Sequence, residues 1–369
     1  MKQALIEASA PRKILIVRLG ALGDVVHVLP AFDALRAAFP GARIRWAVES
    51  ACGSLVRALP GLEGVHVLQR KEWTSGLKNP SAWLSVGKAA STAVRDLQRE
   101  SFDLALDFQG NLRSAVVAYL SGAAARVGFA RGADKEGGHL FYTETVAPPS
   151  GVLHKVEKNL ALLGALGIRP EISPPRLPLP LQGEEKILPA LEGLRRPVLV
   201  LHAGVSAFGA LKAYPPAQLA QAARVAAART GGTVLFTFGP GEKAAAEALA
   251  REAGPAARPA PETRSLPELA AVFRFADAAC GADTGPIQLA AAVGAPVVAL
   301  FGPKDPAIYR PLGPRACAIV TADRSLRCIP CNGRRCRIAR PDGFSPCMAS
   351  IPPGDVAEAL VRAVEDVRT

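Results

Sequence analysis

Apolar residues along the chain follow two spacings that alternate. Short runs rich in Val, Ile and Leu are separated by longer segments whose apolar residues recur at helical spacing. Runs that are apolar at consecutive positions predict strands buried on both faces, which is typical of a parallel sheet covered by helices. The pattern therefore predicts an α/β protein.

The first half of the chain predicts one doubly wound domain. The predicted strands are 13–17, 43–48, 65–68 and 104–108, and the predicted helices are 24–39 and 80–100. Pro30 falls inside the first of these helices, where it either bends the helix or begins a new one.

A proline-rich segment, "RPEISPPRLPLPLQ" at 169–182, predicts an extended linker because its five prolines exclude a helix. After it the α/β pattern restarts. The predicted strands are 198–202, 233–238, 278–282 and 297–301, and the predicted helices are 216–230, one from 242, one after 285, and 355–367. We place the domains at 1–175 and 176–352, followed by a C-terminal helix at 353–369.

Length and composition are consistent with two globular domains. At 369 residues the chain exceeds what one core usually organises, and 49% hydrophobic with 21% charged residues excludes intrinsic disorder. No run approaches the roughly 20 apolar residues that span a bilayer. Glu7, Pro11 and Arg12 stand where a signal peptide would be apolar, so we expect a cytoplasmic protein.

The net charge of +12 favours anionic partners. Such partners include nucleic acid, phosphorylated lipid head groups and nucleotides. The alternative interpretation is that the basic residues are scattered over solvated faces and bind no particular partner.

The loop after the first predicted strand is a candidate for chemistry, because open parallel sheets bind ligands beyond the carboxyl ends of their strands. Gly20 and Gly23 permit a tight turn, and Asp24 stands at a helix start. Asp24 is either an N-cap or a general base, since a helix start stabilises the ionised carboxylate. His27 is either packed in the core or placed to adjust the charge of Asp24 or contact a substrate.

The same loop lacks the G-x-G-x-x-G fingerprint of dinucleotide-binding domains. Glu49, after the second strand, can mimic the ribose-binding acid of such enzymes, but Asp24 would oppose a pyrophosphate. An NAD-dependent oxidoreductase is therefore disfavoured.

Two loops of the second half predict a phosphate site. In "CGADTGPIQLAAAVGAPVVALFGP" the turn Asp283-Thr284-Gly285 precedes a helix, so its amides, the Thr284 hydroxyl and the helix dipole can cradle a diphosphate. An ordinary helix cap is the alternative. In "LHAGVSAFGALKAYPP" Lys212 either neutralises phosphate charge or faces solvent.

Four of the seven cysteines are spaced C-x2-C-x4-C-x10-C in one segment. Cys328, Cys331, Cys336 and Cys347 can together satisfy a tetrahedral zinc or iron site, and reduced thiols in an Arg-rich loop are the alternative. A non-catalytic metal- or nucleic-acid-binding module would depend on this segment. Few aromatic residues interleave its arginines, which disfavours nucleic acid.

Three blocks resemble family 9 glycosyltransferases, the ADP-heptose:lipopolysaccharide heptosyltransferases. They are "KILIVRLGALGDVVHVLPAFDALRAAFPGARIRWAVE", "FDLALDFQGNLRSA" and "GADTGPIQLAAAVGAPVVALFGPKDP". The resemblance, which runs from about Lys13 to the C-terminal helix, implies a GT-B fold: two facing Rossmann-like doubly wound domains with an interdomain cleft. It also implies that the first domain holds the acceptor, that the second holds the nucleotide sugar, and that the C-terminal helix packs back on the first.

The resemblance also assigns roles to residues. It makes Asp24 the catalytic base. The donor-binding residues that it implies are Lys212, Glu242, Asp283, Thr284, Gly285 and Gln288, the last standing where the family usually has His. The segments "WAVE" at 46–49 and "QRKEW" at 69–73 look most like heptosyltransferase I, and the acceptor-binding residues then implied are Gly23, His27, Arg70, Lys71 and Lys78.

The implied reaction is an inverting transfer of heptose from ADP-L-glycero-β-D-manno-heptose to the anionic Kdo-bearing lipid A acceptor, without a cofactor. The implied location is cytoplasmic and peripheral to the cytoplasmic face of the inner membrane, with no nucleic-acid partner. Heptosyltransferase II or a protein-modifying heptosyltransferase is the alternative within the family. The sequence leaves the oligomeric state open.

Overall fold

The computed structural model describes residues 10–76, 79–313, 315, 317–322, 325–331, 333, 335–338 and 340–368. Its contacts divide the chain into two compact units, Met1–Ser173 and Pro174–Thr369. The division falls inside the proline-rich segment 169–182. Within the described ranges, no helix combines the length and the apolarity that crossing a membrane requires.

The first unit is built on a parallel sheet of six strands in the order β3-β2-β1-β4-β5-β6. The strands are β1 Lys13–Val17, β2 Arg43–Glu49, β3 Leu62–Leu68, β4 Leu104–Asp107, β5 Ala125–Phe129 and β6 Glu144–Val146. The helices are α1 Leu22–Val26, α2 Leu29–Ala38, α3 Ser50–Arg57, α4 Arg70–Gly76, α5 Trp83–Arg99, α6 Leu112–Leu120 and α7 Lys155–Leu162, with 3-10 turns at Pro80–Ala82, Gly138–Phe141 and Leu163–Leu166.

The second unit repeats this architecture with the sheet order β12-β11-β10-β7-β8-β9, again all parallel. The strands are β7 Val198–His202, β8 Thr233–Thr237, β9 Ala257–Pro259, β10 Ala278–Ala282, β11 Val297–Phe301 and β12 Cys317–Thr321. The helices are α8 Glu184–Leu191, α9 Pro216–Thr230, α10 Lys243–Ala253, α11 Leu266–Phe275, α12 Gly285–Ala292, α13 Pro306–Tyr309, α14 Pro346–Ala349 and α15 Pro353–Arg368, with a 3-10 segment at Ala207–Lys212.

Both sheets place their first strand in the middle, beside the fourth. Counted within its own unit, each sheet has the strand order 3-2-1-4-5-6 of doubly wound nucleotide-binding folds. The central strands are apolar on both faces: all of β7, β10 and β11 is buried. The order of strands reverses between β1 and β4 and between β7 and β10, so the loops that leave these strands are where ligands are expected.

The predicted helix 24–39 forms two helices. The break falls at His27 and Val28, and Pro30 occupies the first turn of α2, where its missing amide hydrogen costs no helical hydrogen bond. Of the two outcomes expected for Pro30, a new helix start is the one that the structure shows.

The C-terminal helix α15 belongs to the second unit. Val356, Ala357, Leu360 and Val364 are buried in the core cluster that also contains residues of α9 and of β10 and β11. Helix α15 thus shares the core of the second unit, while the predicted boundary at 352 stays a prediction. Packing of this helix on the first domain stays a prediction.

Candidate active site

The loop between β1 and α1 brings Arg18 and Asp24 together. Arg18 Nη2 lies 2.5 Å from Asp24 Oδ2, while Arg18 Nη1 donates a hydrogen bond to the Phe108 carbonyl at 2.9 Å. The Arg18 carbonyl in turn accepts a hydrogen bond from Trp46 Nε1 at 3.2 Å. The N-cap position of α1 is held by Ala21, and Asp24 lies in the first turn. The N-cap interpretation of Asp24 is therefore wrong, because its carboxylate pairs with Arg18 instead.

The surroundings of Asp24 keep its carboxylate ionised. Burial alone would raise the pKa of Asp24, but the charges of Arg18, Lys155 and His27 outweigh burial and hold that pKa below its usual range. The side chain remains 36% exposed, so another molecule can reach it. A fixed, ionised and accessible carboxylate is suited to accept a proton from a hydroxyl group.

His27, one turn of chain after Asp24, is buried and only 3% exposed. Its ring makes an edge-on contact with His154 at 5.6 Å between centroids, and its carbonyl accepts a hydrogen bond from Asn159 Nδ2 at 2.9 Å. This burial favours the packed interpretation of His27 over direct contact with an acceptor. Gly23, the other predicted acceptor residue here, lies within α1.

Two lysines at the start of α7 add positive charge that the sequence did not indicate. Lys155 is close enough to Asp24 to lower its pKa. Lys158 Nζ donates a hydrogen bond to the Ala133 carbonyl at 2.8 Å and lies 4.5 Å from the Phe129 ring centroid. Burial, followed by the charges of Lys155 and other nearby cations, lowers the pKa of Lys158 to about 8. No sequence signal pointed to these residues, because they lie in the first turn of a helix that the sequence analysis does not predict.

A carboxylate at the end of β2 is bound by arginines. Arg70 Nε and Nη2 donate to the two Glu49 oxygens at 2.5 and 3.2 Å, and Arg113 Nη1 lies 3.7 Å from Oε1. Glu49 is thus engaged by protein cations. The Lys71 side chain and the whole of Lys78, both predicted to bind the acceptor, lie outside the described residues.

In the second unit, two loops singled out by the sequence meet. Lys212 Nζ donates to both the carbonyl and the carboxylate Oδ2 of Asp283, each at 2.7 Å. Asp283 is buried, whereas the Lys212 side chain keeps 24% of its surface exposed. The carboxylate fixes the ammonium at the carboxyl end of β10 and leaves part of it open to an anion.

Thr284 forms the N-cap of α12 with an extended backbone, but its side chain makes no capping hydrogen bond. Its Oγ1 is buried, and no described residue offers it a hydrogen-bond partner. Buried hydroxyls without partners are uncommon and costly, so this one indicates a place for a polar ligand. The amides at the start of α12, beginning with Gly285, make an anion the favoured ligand.

Gln288, predicted to bind the donor, makes a hydrogen bond within the protein. It is buried within α12, and its Nε2 donates to the Tyr309 carbonyl at 2.7 Å. This bond ties α12 to the end of α13.

A cavity of about 350 Å³ lies at the carboxyl ends of β7 and β8, where it is lined on one side by α10. Glu242 lines it, with Oε2 accepting from the Gly239 amide at 2.8 Å. His202 Nδ1 lies 2.9 Å from Thr237 Oγ1, and burial lowers the pKa of His202 to about 4 although Glu242 opposes the shift. A largely apolar cavity that is also lined by the carboxylates Glu242 and Glu252 suits a nucleoside, whose hydroxyls donate hydrogen bonds.

The four clustered cysteines do not form the predicted metal site. Within the described part of the chain, no three His, Cys, Asp or Glu residues are grouped so as to hold a metal ion. Cys328 is exposed, whereas Cys347 is buried and its thiol is 3.5 Å from Ser345 Oγ. Cys336 Sγ donates to the nearby Ile338 carbonyl at 3.3 Å. Cys336 and Cys347 are thus each engaged in a local contact within the protein.

Two parallel Rossmann-like sheets of six strands, one with an ionised carboxylate after its first strand and the other with an anion site after its fourth, define a glycosyltransferase of the GT-B fold class. The family model described as "Glycosyltransferase family 9 (heptosyltransferase)" matches residues 91–340, and the chain belongs to this family.

Relatives and solved structures agree with this assignment. Lipopolysaccharide heptosyltransferase 1 of Pseudomonas aeruginosa is 27% identical over 88% of this chain and 87% of its own length. The structure of E. coli ADP-heptose lps heptosyltransferase II is similar with a TM-score of 0.74 and 19% identity, over 97% of this chain and 100% of that one. The structure of E. coli heptosyltransferase WaaC with ADP-2-deoxy-2-fluoro heptose is similar with a TM-score of 0.71 and 20% identity, over 96% of this chain and 99% of that one. At such identities the solved structures establish the fold alone.

Proposed function

We propose that this glycosyltransferase moves heptose from ADP-heptose to the Kdo sugar of the lipid A inner core, as heptosyltransferase I does in lipopolysaccharide synthesis. Family membership and the similarity to a heptosyltransferase 1 over most of both chains support this substrate pair. The observation that carries the chemistry is the Asp24 carboxylate, which is held ionised by Arg18 at 2.5 Å and is still accessible.

In the proposed reaction Asp24 takes the proton of the attacking acceptor hydroxyl. The acceptor oxygen forms a bond to the anomeric carbon of heptose while the bond from that carbon to the diphosphate oxygen breaks on the opposite face. ADP leaves with the bonding electrons, so the configuration inverts. Because the base is fixed by Arg18, little reorganisation is needed when the proton moves.

The second unit supplies the stabilisation of the leaving group. Negative charge develops on the β-phosphate as the bond breaks, and Lys212, the Thr284 hydroxyl and the first amides of α12 form the matching set of donors. Glu242 and its neighbouring cavity receive the nucleoside. No metal takes part in this scheme, since lysine and amide donors serve the diphosphate.

Positive charge around Asp24 fits an acceptor that carries carboxylates and phosphates. Arg18, Lys155 and Lys158 lie near the base, and Arg70 follows the end of β3. An acceptor anchored in a membrane also requires the enzyme to work at the lipid surface. We therefore propose that the protein is peripheral to the cytoplasmic face of the inner membrane.

Asp24→Asn tests the proposal, because it removes the base but keeps the size of the side chain. We expect turnover to fall by about 10² to 10⁴-fold, the usual contribution of a general base, while ADP-heptose binding stays within about twofold. ADP release and product mass would be followed with Kdo-bearing lipid A and, separately, with once-heptosylated core. Near-normal turnover would remove Asp24 from the mechanism, and release of ADP with only the second acceptor would overturn the heptosyltransferase I assignment.

A further inference from the structure

Helix α5, Trp83–Arg99, is an amphipathic helix that the fold leaves largely uncovered. It packs near the edge strand β3 and the neighbouring helix α4, yet Leu97 is its single buried residue. An amphipathic helix of a globular protein normally buries its apolar stripe. This helix half-buries its stripe at Val86, Ala90, Ala93 and Val94, and it exposes its first turn and the opposite face.

The first turn of α5 exposes two large apolar side chains. Trp83 is 57% exposed and Leu84 is 90% exposed, the latter the highest value among the large apolar residues exposed in the described structure. They follow each other at the start of the helix, so both project from the same end. Tryptophan beside an aliphatic residue is the pair that favours the boundary between water and lipid.

Basic residues continue the surface that begins with Leu84. Lys88 and Arg95 are four and eleven positions further along, which places all three on one face of the helix, and both basic residues are exposed. Arg99, another position on that face, is 76% exposed, and Asp96 is the helix's single acidic residue. The whole chain carries a net charge of +12. The face thus combines an apolar tip with positive charge.

We propose that the start of α5 is the surface by which the protein binds an anionic lipid bilayer, with Trp83 and Leu84 at the level of the head groups and Lys88 and Arg95 against lipid phosphates. Charge complementarity selects this occupant, because a membrane surface rich in anionic lipid matches an apolar tip flanked by cations. The proposal gains its biological sense from the proposed function, whose acceptor is a lipid, but its test does not depend on sugar transfer.

Vesicle flotation tests the proposal with the full chain. We compare vesicles of phosphatidylethanolamine with phosphatidylglycerol against vesicles of phosphatidylcholine alone. The variant Trp83→Ser/Leu84→Ser is expected to bind the anionic vesicles at least about tenfold more weakly than the unsubstituted protein. The matched control is Leu140→Ser/Ile172→Ser, which removes two other exposed apolar side chains of 78% and 53% exposure and should bind normally. Equal loss in both variants, or no loss in the first, overturns the proposal.

Two further measurements separate the alternatives. Lys88→Gln/Arg95→Gln should weaken binding and make it less sensitive to salt, because fewer lipid phosphates are contacted. Turnover of a short water-soluble Kdo acceptor should be unchanged in Trp83→Ser/Leu84→Ser, so a failure of the transferase assignment is distinguishable from a failure of this surface. A dimer that forms without lipid and is lost in that variant would assign the face to a second copy of the chain and overturn the proposal.

Discussion

At the residue scale, the candidate base Asp24 is characterised by its partner Arg18. Asp24 could be singled out from the sequence because a carboxylate follows a glycine turn at the end of a strand. Its partner Arg18 could not, since nothing in the sequence says that an arginine six positions earlier turns back across the loop. The same holds for Lys155 and Lys158, which reach Asp24 and its surroundings only through the folding of α7. Residues that stand at recognisable turns were therefore predictable, whereas the side chains that pair with them were not, whether they are near in sequence, as Arg18 is, or distant, as Lys155 is.

Arg18→Gln should shift the pH dependence of catalysis. Without the guanidinium, burial dominates and the pKa of Asp24 rises, so the acidic limb of the kcat/KM profile moves to higher pH. Arg18→Lys keeps the positive charge but loses the guanidinium group that contacts both Asp24 and the Phe108 carbonyl. In this variant the acidic limb of the kcat/KM profile should move less. The measurement is kcat/KM from pH 4 to 8 for both variants. An unchanged limb in Arg18→Gln would show that Arg18 does not control the ionisation of Asp24.

His202 should make the free energy of unfolding depend on pH. Its pKa is lowered from the usual 6.5 to about 4, so between these values the unfolded chain binds a proton that the folded chain does not. The contribution of His202 to the free energy of unfolding is fully present above about pH 6.5. It falls as the pH drops toward about 4, by up to about 3 kcal/mol.

The variant His202→Gln tests this, because glutamine does not titrate. Urea unfolding followed by circular dichroism at pH 7 and pH 5 should give a smaller difference in the variant than in the unsubstituted protein. His139→Gln, at a less buried histidine, serves as the control. An identical pH slope in His202→Gln and the unsubstituted protein would contradict the assignment.

At the scale of elements, the strands buried on both faces are the ones whose bounds the sequence predicts best. The bounds of β1, β7, β10, β11 and α9 agree with the prediction to the residue, because central strands are apolar on both faces and α9 ends at a glycine. Strands β5, β6, β9 and β12 were missed. All four lie at or next to the outer edges of their sheets and are at most five residues long. β5, β6 and β9 are also partly exposed, so they lack a continuous apolar run.

Gly281→Ala should disturb the packing of α12 on the sheet. A Cβ at this position of β10 would lie 2.8 Å from the His202 carbonyl and 2.9 Å from Ile287 Cδ1, and Ile287 lies in α12. Overpacking of this kind usually costs about 1 to 3 kcal/mol. We expect a lower melting temperature together with weaker ADP binding, measured by calorimetry.

Gly354→Ala in α15 is the matched control, because a Cβ there meets no atom within 4 Å. It should leave both quantities nearly unchanged. A Gly281→Ala protein with normal stability and normal ADP affinity would mean that α12 does not depend on this close approach.

At the scale of the whole molecule, each unit has a sheet and a core of its own. The repeated α/β pattern and the proline-rich segment predict two doubly wound domains. The GT-B class itself was implied by the resemblance to family 9 glycosyltransferases, and the two sheets agree with it. The packing of α15 in the second unit depends on contacts that only the folded structure supplies.

ADP alone should protect the second unit most strongly. At 100 times its Kd a ligand stabilises the folded state by about 2.7 kcal/mol. Hydrogen exchange should slow chiefly at Asp283–Gln288 and around Lys212 and Glu242, where the proposed contacts lie. Lys212→Ala should reduce this protection at equal ADP concentration. Protection concentrated at the loop that holds Asp24 would reverse the assignment of donor and acceptor to the two units.

The matching order of strands in the two sheets also bears on how such an enzyme can be altered. The turn before α12 and the loop that carries Glu242 leave strands of one sheet, whereas the loop that carries Arg18 and Asp24 leaves a strand of the other. Under the proposed assignment of the nucleotide to the second unit and the acceptor to the first, substitutions that change nucleotide preference can therefore be confined to loops of one sheet while the other unit stays unaltered.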